Sequence, residues 1–449
     1  MARIYQWLTL VSVIITIFIS PLTTFAQARF DNFNVDQDLS AMVIEGHNGQ
    51  ILFEQNTDKL VEVGDLSKLL TLYLVMDAVK QGNISMDTEV PISDQAFYIS
   101  QNYDINNVPL RQDYPYKVED LIQAVVIQSA NGATLALAQL IEPDEGKFVE
   151  LMRQQLSQWH LNDFEIFNAT GMTQTQINDS YAPYTDDREK NKEVNRMSTE
   201  VVATIVYHLM DVYPDILNYS QKDVDVFVKD SDDAFDMNNA NLLVSGGEYN
   251  YDLADGLMVD DSHEAQASIV ATAEKDGLRV IGISLGQEDP VAMYQDMIDL
   301  FNQSFSAYRL EAIAKAGDPA DHINQTRVQG GVETTTAFKY VQDFNLVVPI
   351  IDTAPQLSYE FLPDYQYFNP AGFLVAPVNH KTVVGQMQVK AQKSEPLASL
   401  PSAKGNATDI VVAEDIEEAS AWIKFWRSLK AGFDDLMREL RAFFINLFN

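Results

Sequence analysis

No cysteine occurs in the 449 residues of this chain. Disulfide stapling, thiolate nucleophiles and thiolate metal sites are thereby excluded, and stability has to come from burial. Basic residues are scarce: 30 Lys and Arg stand against 65 Asp and Glu, a formal charge of −35 at pH 7. Nucleic-acid binding needs basic surface that releases counterions, so that class is excluded, and the acidic body repels anionic membranes. The six histidines include no pair at helical ligand spacing, so no metal site and no cofactor are expected. No internal repeat is present. Also missing is any serine followed three residues later by lysine.

What is present begins with Arg3 ahead of a largely apolar run from Leu8 to Ile19, then Ala26-Gln27-Ala28, a small-x-small cleavage signal. Residues 1–28 read as a secretory signal peptide whose apolar core is shorter than the roughly 20 residues of a spanning helix; an uncleaved anchor is the alternative. The length and a 46% hydrophobic content suit two domains with appendages. Met42-Val43-Ile44 and Ile51-Leu52-Phe53 predict a hairpin turning at His47-Asn48-Gly49-Gln50. Helices are predicted from Leu66 to Val79, apolar on nearly every side, from Val118 to Glu142 with a break near Ser129-Ala130-Asn131-Gly132, from Gly146 to His160, and from Met197 to Leu217 after a charged loop at 186–192. A second hairpin, Ala267–Ala273 and Leu278–Leu285, turns at Glu274-Lys275-Asp276-Gly277, and a last helix runs from Pro290 to about Lys315. Strands at both ends of a helical middle imply an α+β domain over 29–315. A β-rich domain over 316–393 follows, then a Ser-, Pro-, Ala- and Gly-containing linker over 394–416.

The segment 417–449 sets Trp422, Phe425, Trp426, Leu429, Phe433, Phe443 and Phe444 mostly three and four residues apart, interleaved with Lys424, Arg427, Lys430, Arg438 and Arg441. Aromatic residues on one helical face and cations on the other are the pattern of a helix lying in a membrane interface. Docking on the protein's own β domain, or pairing in a coiled coil, is the alternative.

Three stretches, Gly49-Gln50-Ile51-Leu52-Phe53, Phe167-Asn168-Ala169-Thr170-Gly171-Met172 and Asp276-Gly277-Leu278-Arg279-Val280-Ile281, together with the order of the segments, resemble the low-molecular-mass penicillin-binding proteins of the D-alanyl-D-alanine carboxypeptidase type. The resemblance covers essentially the whole chain. It implies a penicillin-binding-protein/β-lactamase-like transpeptidase domain, a small all-β domain and a C-terminal amphipathic helix. Three motifs carry the family's chemistry. Where it has Ser-x-x-Lys, this chain has Asp65-Leu66-Ser67-Lys68, so Asp65 stands in the nucleophile's position and Lys68 in that of the general base. Ser-x-Asn survives as Ser129-Ala130-Asn131. Lys-Thr-Gly is replaced by Met258-Val259-Asp260, which removes a cation and a hydroxyl and adds a side chain where glycine lets the substrate approach.

Each of these residues also has a plainer reading. Asp65, beside Gly64 at a helix start, suits a capping role, and Ser129 suits the cap of the helix through Leu140. Ser67 is the nearest substitute nucleophile, but adjacent helical residues project about 100° apart, so its hydroxyl points away from the face of Lys68. Hydrolysis through Asp65 needs a second carboxylate, for which Asp260 is the candidate.

Together with the resemblance this leads to the expectation of an exported cell-wall protein held to the outer face of the cytoplasmic membrane, similar to the carboxypeptidase family but catalytically inactive. Its expected partners are peptidoglycan stem peptides (weakly, if at all), the membrane surface and cell-wall enzymes. An active serine-type carboxypeptidase that trims terminal D-alanine is the alternative.

Overall fold

The computed structural model describes residues 38–181, 193–260, 266–350, 356–392 and 397–447. The signal segment 1–28, the charged loop at 186–192 and the side chains of Phe443 and Phe444 lie outside the described residues. The chain divides into two compact units, one taking in residues up to 46, 51–275 and 279–307, the other 47–50, 276–278 and 308 onward.

In the first unit the predicted N-terminal hairpin forms from β1 (Ser40–Glu45) and β2 (Ile51–Gln55). A 3-10 turn at Gly64–Ser67 leads into α1 (Lys68–Lys80), whose residues from Lys68 to Tyr73 are all buried. A helix with almost no polar face has to sit inside, where each enclosed leucine contributes about 1.5–3 kcal/mol. The helices α2 (Val118–Gln128), α3 (Asn131–Ile141), α4 (Glu145–Gln158) and α5 (Thr199–Val212) follow, and α1 packs against α3 and α5. The chain then returns as β3 (Ala254–Asp260), β4 (Ala267–Lys275) and β5 (Leu278–Gln287), before α6 (Pro290–Ala307). Between β4 and β5, Asp276 and Gly277 both take positive φ, 52° and 82°, which suits the two-residue turn of a tight hairpin.

The five strands lie in the order β2-β1-β5-β4-β3. β1 runs antiparallel to β5, with Met42 opposite Ile283 and Ile44 opposite Ile281, so the sheet joins the two ends of the unit around the helical middle. This is the α+β arrangement expected from the sequence.

The second unit begins earlier than the sequence suggests. The helix expected to reach Lys315 stops at Ala307, and β6 (Tyr308–Ala314) follows directly. Pairing decides this: Leu310 lies opposite Val347 and Glu311 opposite Leu346, in a ladder that outweighs local helix preference. The other main strands are β7 (Phe338–Tyr340), β8 (Phe344–Pro349), β9 (Gln356–Pro363), β10 (Val383–Gln392) and β11 (Ala407–Val412), with a sheet ordered β7-β11-β10-β9. The expected linker over 394–416 is thus corrected, since β11 is an interior strand. Its Thr408, Ile410 and Val412 turn inward, a period-two signal only six residues long. Phe338, Leu346, Met387, Val389 and Ile410 belong to the unit's core.

The C-terminal segment forms α7 (Ala421–Leu447). Trp422, Phe425, Trp426, Leu429 and Phe433 are each at least half exposed, so this face is not docked on the protein's own β domain. Arg427 ties the start of the helix down by donating to Gly331 O at 2.6 Å and to Val332 O. Among the described residues, no helix is long and apolar enough to cross a membrane.

Candidate active site

The first residue of α1 sets the centre of the site. Lys68 is fully buried, and its Nζ forms an ion pair with Asp65 Oδ1 and donates to Thr170 O at 2.9 Å. The other carboxylate oxygen, Asp65 Oδ2, accepts from Asn106 Nδ2 at 2.9 Å. The capping role expected for Asp65 is corrected: the 3-10 turn has Val63 as its N-cap, with no side-chain cap bond. An ammonium enclosed at the first turn of a core helix has no water to solvate it, so the carboxylate three residues earlier is drawn to it rather than to the free N–H groups.

The loop opposite explains the Phe167-Asn168-Ala169-Thr170-Gly171-Met172 stretch. Asn168 Oδ1 accepts from Thr170 N at 3.1 Å and Gly171 N at 2.7 Å, while its Nδ2 donates to Met172 O at 2.8 Å. This asparagine-centred turn holds the Thr170 carbonyl on Lys68, and Thr71 Oγ1 anchors the neighbouring Ala169 O at 2.7 Å. Gly171, at φ +86°, passes so close to the chain that a methyl group there would lie 1.8 Å from Gly64 O. Close by, burial raises the carboxyl of Glu145, whose Oε1 accepts from Ala169 N at 3.3 Å.

Ser67 is completely buried, and its Oγ accepts from Asn195 Nδ2 at 3.0 Å. Among the described residues the acceptors of Lys68 Nζ are Asp65 and Thr170, so the serine hydroxyl is not hydrogen-bonded to the amine. That agrees with the angular argument from the helix.

Ser129 and Asn131 bracket the junction of α2 and α3. Ser129 ends α2 in the left-handed region, at φ 51° and ψ 35°, and the N-cap of α3 is Ala130, without a side-chain cap bond. The expected capping of the next helix by Ser129 is therefore also corrected. Left-handed serine costs roughly 1–2 kcal/mol, an expense that only surrounding packing sustains. Asn131 donates from N and Nδ2 to Asn106 O, each at 3.0 Å, which links the Ser-x-Asn stretch through Asn106 to Asp65. Asn131 is 3% exposed, and its Oδ1 has no hydrogen-bond partner among the described residues.

Met258, Val259 and Asp260 occupy the last three positions of β3 and are all buried. Strand alternation puts Met258 and Asp260 on one face. That face meets the turn before α1: a methyl group on Gly64, at φ +43°, would lie 2.1 Å from Asp260 Oδ2. The carboxylate thus fills the space beside the residue preceding Asp65. Two carboxylates, Asp65 and Asp260, converge on the turn that carries the buried ammonium of Lys68, and Met258 brings no second cation.

The fold brings Asp65, Lys68 and Asn131 into one hydrogen-bonded network and sets Asp260 against its edge. Sequence reasoning missed Asn106, which bridges two of the motifs, and Asn195, which holds Ser67. Neither sits at a spacing that ties it to a motif. Thr170 lay within a recognised stretch, but its contribution is a carbonyl, which no side-chain pattern reveals. Among the described residues no group of His, Asp and Glu is placed to hold a metal ion.

A family model described as D-alanyl-D-alanine carboxypeptidase matches residues 31–289. The D-alanyl-D-alanine carboxypeptidase DacF of Bacillus subtilis is 23% identical over 299 residues, 66% of this chain and 70% of its own length. DacA of Haemophilus influenzae, also a D-alanyl-D-alanine carboxypeptidase, is 23% identical over 387 residues, 86% of each chain. Among solved structures, a peptidoglycan synthesis regulatory factor (PBP3) from Streptococcus pneumoniae superposes with a TM-score of 0.69 at 26% identity, over 86% of this chain and 100% of its own.

Proposed function

Since this chain belongs to the D-alanyl-D-alanine carboxypeptidase family, we propose that it is an exported, catalytically inactive member that serves peptidoglycan metabolism by binding rather than by hydrolysis. One observation carries this reading. The amine that would take up a proton from an attacking serine is occupied by a carboxylate standing in that serine's position. Acyl transfer needs a nucleophile, a base and charge stabilisation together, and loss of the nucleophile alone removes several orders of magnitude in rate. The strand that would supply a cation to the substrate carboxylate carries Met258 and Asp260 instead, and like charge opposes an anionic peptide terminus. The test is a labelled penicillin on the purified mature protein. No covalent label is expected, and stoichiometric labelling overturns the reading.

A weak interaction with stem peptides is supported by the enclosed Asn131 Oδ1, an acceptor suited to a peptide N–H donor. Membrane attachment is supported by the exposed aromatic face of α7 and its interleaved cations. The protein is expected to sediment with anionic vesicles, and removal of Trp422 to Asn449 is expected to abolish this. Equal sedimentation of both forms overturns attachment through the helix. Such a protein would present its first domain to wall enzymes on the outer face of the cytoplasmic membrane.

A further inference from the structure

The four-stranded sheet of the second unit ends on β9, eight residues that among the described residues pair on one side only. The direction of its backbone groups follows from two hydrogen bonds. Asp364 N, just past the strand, donates to Val384 O at 2.9 Å, and Val389 N on β10 donates away from β9, to Asn406 O at 2.9 Å. Backbone groups alternate sides along an antiparallel strand. Gln356, Ser358, Glu360 and Leu362 therefore bond to β10, while Leu357, Tyr359 and Phe361 turn their N–H and C=O groups outward. Among the described residues these outward groups meet no hydrogen-bond partner.

Long edges of this kind are ordinarily guarded by a bulge, a mid-strand proline or a charge. Here the register runs without a shift from Gln356 opposite Gln392 to Pro363 opposite Gly385, and proline comes only at the end. Glu360 is the sole charged residue, and Lys390 lies 3.8 Å from it. Glu311 of β6 also bears on Tyr359 but is itself paired with Arg309 at 2.5 Å, so the charges at this edge are balanced locally on a chain of charge −35, whose remaining charges are screened beyond about 8 Å at physiological salt.

We propose that β9 pairs with the same strand of a second copy, antiparallel about a twofold axis through Tyr359, so that two four-stranded sheets become one of eight. The strand is self-complementary in that register. Leu357 meets Phe361 of the second copy and Tyr359 meets its own counterpart, so every outward-facing residue is used and roughly six backbone bonds form. These three side chains lie on the face that packs against the unit's core, so apolar meets apolar across the axis. On the exposed face Ser358 meets Glu360. Moving the axis to Glu360 would oppose that carboxylate to itself and waste a position on Pro363, which has no N–H.

The absence of cysteine makes the register directly measurable in the full mature chain. Directly opposed residues of a hydrogen-bonded pair lie about 5.5 Å apart at Cα, within disulfide reach. Tyr359→Cys is expected to give a disulfide-linked dimer under mild oxidation. Gln356→Cys, about 20 Å from its own counterpart in this register, is expected to give no disulfide-linked dimer under the same oxidation. At the exposed position 358, Ser358→Glu is expected to weaken dimerisation about fivefold in sedimentation equilibrium and Ser358→Lys to strengthen it by a similar factor, each acting at two symmetric contacts with Glu360. Monomer at every accessible concentration, cross-linking that does not distinguish 359 from 356, or indifference to the charge at 358 overturns the proposal. Capture of an extended peptide by β9 without dimerisation overturns it too.

Discussion

Replacing Lys68 by methionine is expected to lower the unfolding free energy of the first domain by about 3–5 kcal/mol, because it leaves the Asp65 carboxylate enclosed without its counter-charge. Asn106 alone, donating to one oxygen, does not replace an ammonium. The double change Asp65→Leu with Lys68→Met behaves differently. An apolar pair of similar volume escapes the desolvation of both charges, so stability returns to within roughly 1–2 kcal/mol of the parent or exceeds it. The two substitutions are therefore strongly non-additive, with a coupling well outside the few tenths expected of independent sites. Urea unfolding of the parent, both single variants and the double variant measures this coupling. Additive losses would show that Asp65 and Lys68 do not act as a buried pair.

Asp65→Ser by itself is expected to produce no penicillin labelling, although it restores Ser-x-x-Lys over 65–68. The serine regains the amine as its base, but the strand opposite still lacks a cation at Met258, and Asp260 still fills the space against Gly64. Charge stabilisation at the acyl centre and attraction for the ligand carboxylate are both missing, and loss of a single stabilising donor already costs about 10²–10³ in rate. Combining Asp65→Ser with Met258→Lys, Val259→Thr and Asp260→Gly is expected to return covalent labelling. Mass spectrometry after exposure to penicillin separates the two results: no added mass on the single variant, and the mass of one bound penicillin on the combined variant. Labelling of the single variant would mean that Met258, Val259 and Asp260 are no obstacle. Failure of the combined variant, if it is folded, would place the obstacle elsewhere in the network around Asn106 and Asn131.

The elements that sequence reasoning located are those with strong local signals. α1 shows itself as an uninterrupted apolar stretch, the β4–β5 hairpin by Asp276-Gly277 between two apolar runs, and the break between α2 and α3 by Ser129-Ala130. β6 and β11 were hidden for the opposite reason. Residues 308–314 continue a helix-like composition, and 407–412 follow a stretch of linker-like residues, so both became strands only because a partner strand was available.

By itself the sequence determined which groups are absent: no serine paired with a lysine three residues on, no cation on the strand ending at Asp260, no thiol, and no excess of positive charge. It also set Asp65 and Lys68 one helical turn apart, because that proximity is local. Whether Asp65 would cap the helix or neutralise the lysine was decided by tertiary structure, since only burial takes water away from the ammonium. Packing alone also brought in Asn106 from 41 residues away and the Thr170 carbonyl from 102. Contacts over such separations depend on which faces of α1, α3 and β3 enclose one another, and no spacing along the chain encodes that.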